Sequence, residues 1–342
     1  MNLHRLCLAL VTSAVVLFAA APPAAAQGRG VDYFIVGNSA DATPAVAPTT
    51  PGLVLMGGGS DVDAAFRWMI GKAGGGDFVV LRATGTDGYN RYIYNMGGVD
   101  SVETLVVRTR SAASDPFVIA RINQADAVFI AGGDQNDYLT LWKGTPLQTA
   151  LDAALARKVP VGGTSAGLAV LGEVDYSGAN NSVTSAQALA DPYNRDMTLD
   201  RGFITAPGLG GSITDTHFRQ RDRMGRLVAF VARNVQDGWV PLAQARGIAV
   251  DEATALVVDN GIASRLGSGA AYFLQPTTAP VVCAKRKPLT LRNVNVDKLS
   301  GSGGGNGASF DLGRWVGSGT LRYDLSAEGG QLTSTQPGGL IY

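Results

Sequence analysis

From Gly52 onward the chain repeats one local pattern: a short apolar run, a glycine cluster, then apolar residues at helical spacing. Gly52-Leu-Val-Leu-Met56 stops at Gly57-Gly58-Gly59, and Ser60 or Asp61 can cap a helix running to Lys72. Residues 78–81, 105–107 and 127–130 repeat the strand signal, a helix-like stretch lies near Tyr92, and residues 145–158 carry apolar side chains at helical spacing. Val159-Pro-Val161 then runs directly into Gly162-Gly-Thr-Ser-Ala-Gly167. Strands this apolar are buried on both faces, the condition of a parallel sheet covered by helices on each side. The expected architecture is therefore α/β with a mostly parallel sheet. Ligand sites in such sheets lie beyond the carboxyl ends of the strands. The segments 57–59, 131–135 and 162–167 each follow a strand and should meet along one rim. Beyond Gly247 the pattern changes to a strand meander over 248–250, 255–258 and 271–274, with an Asp259-Asn260-Gly261 turn. Residues 277–342 read as a glycine-rich extension with β-type pieces around residues 321–325, and no internal repeat is present.

The first 26 residues are an address. His4 and Arg5 precede an apolar run from Leu6 to Ala21, and Ala24-Ala25-Ala26 forms a cleavage site before Gln27. The run falls short of the ~20 residues a membrane span needs, and Pro22-Pro23 interrupt it. A signal peptide over 1–26 predicts a secreted or periplasmic protein with no membrane association after cleavage. Residues 27–50, rich in Ala, Pro, Thr and Asp, read as a flexible lead-in. Removing 26 from 342 leaves 316 residues with 27 basic and 28 acidic side chains, one cysteine (Cys283) and one histidine (His217). So even a balance excludes a nucleic-acid partner, whose binder carries a basic footprint. Too few His and Cys remain for a metal cluster, and no cofactor is expected. Any histidine chemistry passes through His217.

Gly163-Thr164-Ser165-Ala166-Gly167 fits G-x-S-x-G after a strand, the setting in which a serine sits on a strained strand-to-helix turn. The Ala166 N–H then points to where an oxyanion would form. A serine nucleophile needs a base, and His217 is the available imidazole. Glu252, just past the 248–250 strand, is the first choice to orient it, with Asp175, Asp191 and Asp215 as competitors. Arg219, Arg221, Arg223 and Arg226 crowd around His217, and helical geometry would put 219, 223 and 226 on one side. Guanidinium groups bind carboxylates in bidentate fashion, so an acidic substrate suits such a cluster.

Taken in order, Ala131-Gly-Gly-Asp-Gln135, the serine elbow, Asp215-Thr-His-Phe with Arg221-Asp-Arg-Met-Gly-Arg226, and Val250-Asp-Glu252 resemble the cyanophycinases, serine peptidases whose family also includes dipeptidase E. The likeness runs from about Gly52 to Gln275. It implies a flavodoxin-like, three-layer α/β/α domain over 51–276, related to class I glutamine amidotransferases. It also implies hydrolysis of cyanophycin, multi-L-arginyl-poly-L-aspartic acid, to β-aspartyl-arginine dipeptides. On the matching positions Ser165 is the nucleophile, His217 the base and Glu252 the orienting acid. Gly133 and Ala166 supply the oxyanion hole, and Gln135, Asp215, Thr216, Arg221, Arg223 and Arg226 the substrate pocket. Thr216 departs from the glutamine that many cyanophycinases carry there, which puts the substrate's identity in question more than the reaction. The family also implies a homodimer. Alternatives are an aspartyl or isoaspartyl dipeptidase, an α/β-hydrolase esterase and a non-catalytic binding protein. The esterase fold orders its triad Ser, acid, His, against the order Ser165, His217, Glu252 here.

Overall fold

A computed structural model describes residues 30–40, 47–301 and 307–342. The signal peptide read over 1–26 lies outside the described residues. Among those described, the strands form two sheets.

The first sheet is centred on five parallel strands, in the spatial order Ser101–Val107, Asp77–Arg82, Ala127–Ile130, Val161–Thr164 and Leu53–Met56. Their side chains alternate between two cores. Leu53, Leu55, Val79, Leu81, Val128 and Ile130 join one with Val118, Ile122, Leu147 and Leu151 from the helices Pro116–Gln124 and Pro146–Ala156. Val54, Met56, Phe78, Val80 and Phe129 join the other with Phe66, Met69 and Ile70 of the helix Asp63–Lys72. Burial on both faces is why these strands are rich in apolar residues and stand out in the sequence as short apolar runs. The result is the α/β/α layering expected from the sequence.

The second sheet runs Gln331–Ser334, Leu321–Glu328, Leu291–Ser300, Ala270–Pro276, Arg246–Val250, Ser212–Asp215, Val174–Tyr176 and Leu199–Arg201. Its parallel pairings are those of Ser212–Asp215 with the strands on either side. The helix Met224–Gln236 lies against it, sharing a core of Leu227, Val228, Phe230 and Val231 with Tyr272, Leu274, Leu291, Val294, Val296 and Leu325. Among the described residues no helix is long and apolar enough to cross a membrane.

Two segments differ from the sequence reading. Within the lead-in, Val31–Gly37 is a strand paired antiparallel with Ser101–Val107. Val31 is buried, Tyr33 stacks edge-on against Phe117 at 4.9 Å, and its hydroxyl donates to Glu103 Oε2 at 2.8 Å. Flanking Ala, Pro and Thr hid this six-residue apolar run, Val31 to Val36 broken only by Asp32, from a composition-based reading. Residues 277–342 do not hang off the domain. Leu291–Ser300, Leu321–Glu328 and Gln331–Ser334 extend the second sheet, while Ser309–Asp311 and Val316–Ser318 extend the first.

Candidate active site

The strand Val161–Thr164 ends at Ser165, whose backbone sits at φ 52° and ψ −118°, before the short helix Ala166–Ala169. A side chain at 163 would put Cβ 2.4 Å from the Gly167 carbonyl oxygen, and one at 167 would lie 2.0 Å from that of Ile130. Both glycines are therefore set by backbone packing around the elbow. The cost of a positive φ at serine is held by the surrounding contacts, including Ser165 N–H donating to the Met56 carbonyl at 3.1 Å.

Ser165 Oγ lies 2.7 Å from His217 Nε2, and His217 Nδ1 lies 2.6 Å from Glu252 Oε1. A carboxylate can only accept, so the Nδ1 proton points at Glu252 and the Nε2 lone pair faces the hydroxyl. His217 follows the strand Ser212–Asp215 and Glu252 follows Arg246–Val250, so the three groups come together from the carboxyl ends of strands in both sheets. Gly57 to Gly59 form the ledge beneath them. His217 N–H donates to the Gly57 carbonyl at 2.8 Å, and Ala253 N–H to that of Gly58 at 3.0 Å. A Cβ on Gly58 would fall 2.5 Å from His217 Nε2. The sequence placed this triple glycine on the rim but did not reveal that it supports the imidazole. None of Asp175, Asp191 and Asp215 meets the imidazole: Asp175 is wholly buried, Asp191 accepts from Tyr193 N–H, and Asp215 pairs with Arg226.

Burial holds the His217 pKa below its ordinary 6.5, with Arg221 and Arg223 pushing the same way and the Glu252 hydrogen bond opposing. The imidazole is therefore neutral, and able to take a proton, at neutral pH. Cys283 is buried, and burial pushes its thiol up to about 12, which leaves it inert as a nucleophile. Among the described residues no cluster of His, Cys, Asp and Glu could hold a metal ion.

A cavity of about 310 Å³ opens beside the serine. Gly133, Gln135, Ala166, Asp215, Thr216, Arg221, Arg223 and Arg226 all line it together with Ser165 and His217, whereas Glu252 stands behind the imidazole. Sequence reasoning missed Asp134, Tyr176 and Ser182 on its wall. Tyr176 shows no local signal because only folding brings its strand to the Arg226 side chain, whose guanidinium stacks 4.9 Å over the ring.

The charges are arranged differently from the expectation in two respects. Asp215 is engaged by Arg226, with Nε to Oδ2 at 2.7 Å and a second Nη2 to Oδ1 contact, and Arg223 Nη1 stands 3.5 Å away. It is thus neutralised inside the protein, which leaves the exposed Asp134 as the cavity's other carboxylate. Arg219 does not share a helical face with Arg223 and Arg226, because the helix begins only at Met224. Residues 219–223 form a turn, in which the Arg219 N–H donates to Asp251 Oδ1 at 2.9 Å. Arg221 is half-exposed at the cavity mouth. Burial pushes Arg223 down to about 10, still a cation at neutral pH, and its Nη1 donates to the Thr216 carbonyl at 2.8 Å.

Comparison with known proteins places these features in context. A profile of Peptidase family S51 matches residues 88–194, which include the serine elbow. A cyanophycinase of Trichormus variabilis is 30% identical over 215 residues, covering 61% of this chain and 66% of that protein. A cyanophycinase of Thermosynechococcus vestitus is 26% identical over 266 residues, covering 73% of this chain and 77% of that one. The chain thus spans 66% of the length of the first of these relatives. A crystal structure of a peptidase from an acI-B1 actinobacterium superposes with a TM-score of 0.50 at 16% identity, over 67% of this chain and 93% of that one, and shares the fold.

Proposed function

We propose that this chain, which matches the Peptidase family S51 profile over residues 88–194 and is similar to cyanophycinases, is an exported serine exopeptidase releasing β-aspartyl-arginine dipeptides from cyanophycin. The observation that carries this reading is the unbroken array Ser165 Oγ, His217 Nε2, His217 Nδ1, Glu252 Oε1, with successive contacts of 2.7 and 2.6 Å. His217 takes the Oγ proton as Oγ attacks the scissile carbonyl. The Ala166 and Gly133 N–H groups receive the oxyanion, an interaction worth about 10²–10³ in rate per donor. The same imidazole protonates the leaving amine, and then deprotonates the water that cleaves the acyl-enzyme. Glu252 holds the imidazole in the tautomer this requires.

Arg221 and Arg223 are the cations offered to the polymer's free carboxylate, while Arg226 is occupied by Asp215. Asp134 is the acid available to the substrate's guanidinium. A cavity of about 310 Å³ is dipeptide-sized, which suits cleavage near a chain end rather than within a long bound strand. The same volume supports a second reading, a dipeptidase for short aspartyl or isoaspartyl peptides.

The test uses protein recovered outside the cytoplasm of a secreting host, beginning at Gln27, incubated with insoluble cyanophycin and with short Asp-X peptides beside the Ser165→Ala variant. The expected products are dipeptides from the polymer, with the variant slower by about a thousandfold or more. Dissolution by both proteins removes the mechanism. Turnover of the short peptides alone moves the assignment to the dipeptidase. A chain retained inside the cell with residues 1–26 intact removes the export part alone.

A further inference from the structure

Beyond the triad, one residue far away in sequence reaches the turn that carries the site's cations. Tyr342 Oη accepts from the Met224 N–H at 2.9 Å and donates to Asp222 Oδ1 at 2.8 Å. Met224 opens the helix Met224–Gln236, and Arg223 at its N-cap supplies no side-chain acceptor for the orphan N–H groups of the first turn. Tyr342, 118 residues beyond Met224 in the chain, supplies one. Its ring lies edge-on to Phe218, 5.8 Å between centroids, and to Tyr272 at 6.1 Å. Phe218 is fully buried and adjoins His217. Tyr342 therefore touches both ends of the turn 218–224.

That turn needs external support. Asp222 holds a positive φ of 47°, uncommon for a side chain with a Cβ. The loop is closed by Arg221 N–H to the His217 carbonyl at 3.0 Å and Arg223 N–H to that of Phe218 at 3.0 Å. The other side of the contact is firm. Tyr323, on the strand Leu321–Glu328, donates through its hydroxyl to the Ile341 carbonyl at 2.9 Å, and Gln336 Nε2 donates to that of Leu340 at 2.8 Å.

We propose that Tyr342 is a positioning residue: it braces the turn 218–224 against the second sheet and so holds Arg221 and Arg223 where a substrate carboxylate can be bound. Residues 277–342 thereby acquire a part in substrate recognition beyond completing the two sheets. The proposal rests on the reading of the cavity as a peptidase site whose arginines bind substrate.

Tyr342→Phe keeps the ring and removes both hydrogen bonds, and Asp222→Asn weakens one of them from the other side. Each variant is compared with wild type in three measurements: KM for the dipeptide-releasing substrate, the rate at which a small fluorophosphonate labels Ser165, and the melting temperature. The fluorophosphonate carries no carboxylate and so does not use the arginines. Both variants should raise KM, by about fivefold for Tyr342→Phe, with labelling within about twofold and melting nearly unchanged. Unaltered KM in both variants overturns the proposal. So does a joint fall of KM performance, labelling and melting temperature, which would mark a purely structural contact. A folded wild-type protein that neither turns over peptide nor labels at Ser165 overturns the peptidase reading and this inference together, an outcome distinct from the other two.

Discussion

Ser165 and His217 both sit at positive φ, 52° and 45°. Positive φ is uncommon for any residue with a Cβ, and the two positions face each other across 2.7 Å. The electrostatics of the pair yields a testable pH dependence. The charged groups facing His217 are Glu252, Arg221 and Arg223, and burial with the two arginines outweighs the carboxylate in lowering its pKa. A lowered folded-state pKa keeps the base neutral to more acidic pH, so kcat/KM should stay high through pH 6.5 and fall only below it. Arg221→Gln removes one of the repelling charges and should move this acidic limb upward while raising KM. A pH–rate profile between about 4.5 and 8.5 checks both. A wild-type limb centred above 6.5 would contradict the charge balance described.

At the scale of the element, the strand Val174–Tyr176 shows how pairing decides a residue's role. Val174 and Tyr176 face the core around Phe230, which turns Asp175 to the opposite side. There it is wholly buried, with no hydrogen-bond partner at either carboxylate oxygen. Burial raises its pKa well above 3.8, with Asp200 adding to the rise and Lys143 opposing it. With the folded pKa above the unfolded one, the stabilising contribution is complete below pH 3.8 and is withdrawn as pH rises. Asp175→Asn removes that dependence, so the variant should be more stable than wild type at pH 8 and lose its advantage near pH 4. Denaturant titrations at the two pH values read this out, and an equal difference at both would rule out the linkage. Nothing in the local composition separates Asp175 from the other acids considered as partners for His217, because strand facing is set by neighbours. The elements themselves were legible. The parallel strands and the helices Asp63–Lys72 and Pro146–Ala156 declare themselves by periodicity and glycine punctuation. The arginine turn did not, because residues 219–226 satisfy a helical spacing that the chain adopts only from Met224.

Over the whole molecule, the C-terminal strands are part of both sheets. Leu291, Val294, Val296 and Leu325 are fully buried in the second core. At about 1.5–3 kcal/mol each, these four side chains contribute about 6–12 kcal/mol of burial. That is comparable to the entire net stability of a domain, about 5–15 kcal/mol. A chain truncated after Pro276 should therefore lack a cooperative thermal transition by circular dichroism. A truncated protein melting like the full chain would show that the extension is dispensable to the fold.

The sequence by itself determined the parallel α/β core, the serine elbow and His217 as the one imidazole that can meet it, because these depend on local periodicity, on glycine where backbones touch, and on there being one histidine after residue 26. Tertiary structure separated Glu252, the sequence's first choice, from the competing aspartates at His217, and it alone decided that Asp215 is spent on Arg226 and that Tyr342 braces the arginine turn. Each of these joins residues from separate strands or loops, and sequence spacing carries no information about which distant groups a fold will bring within hydrogen-bonding reach.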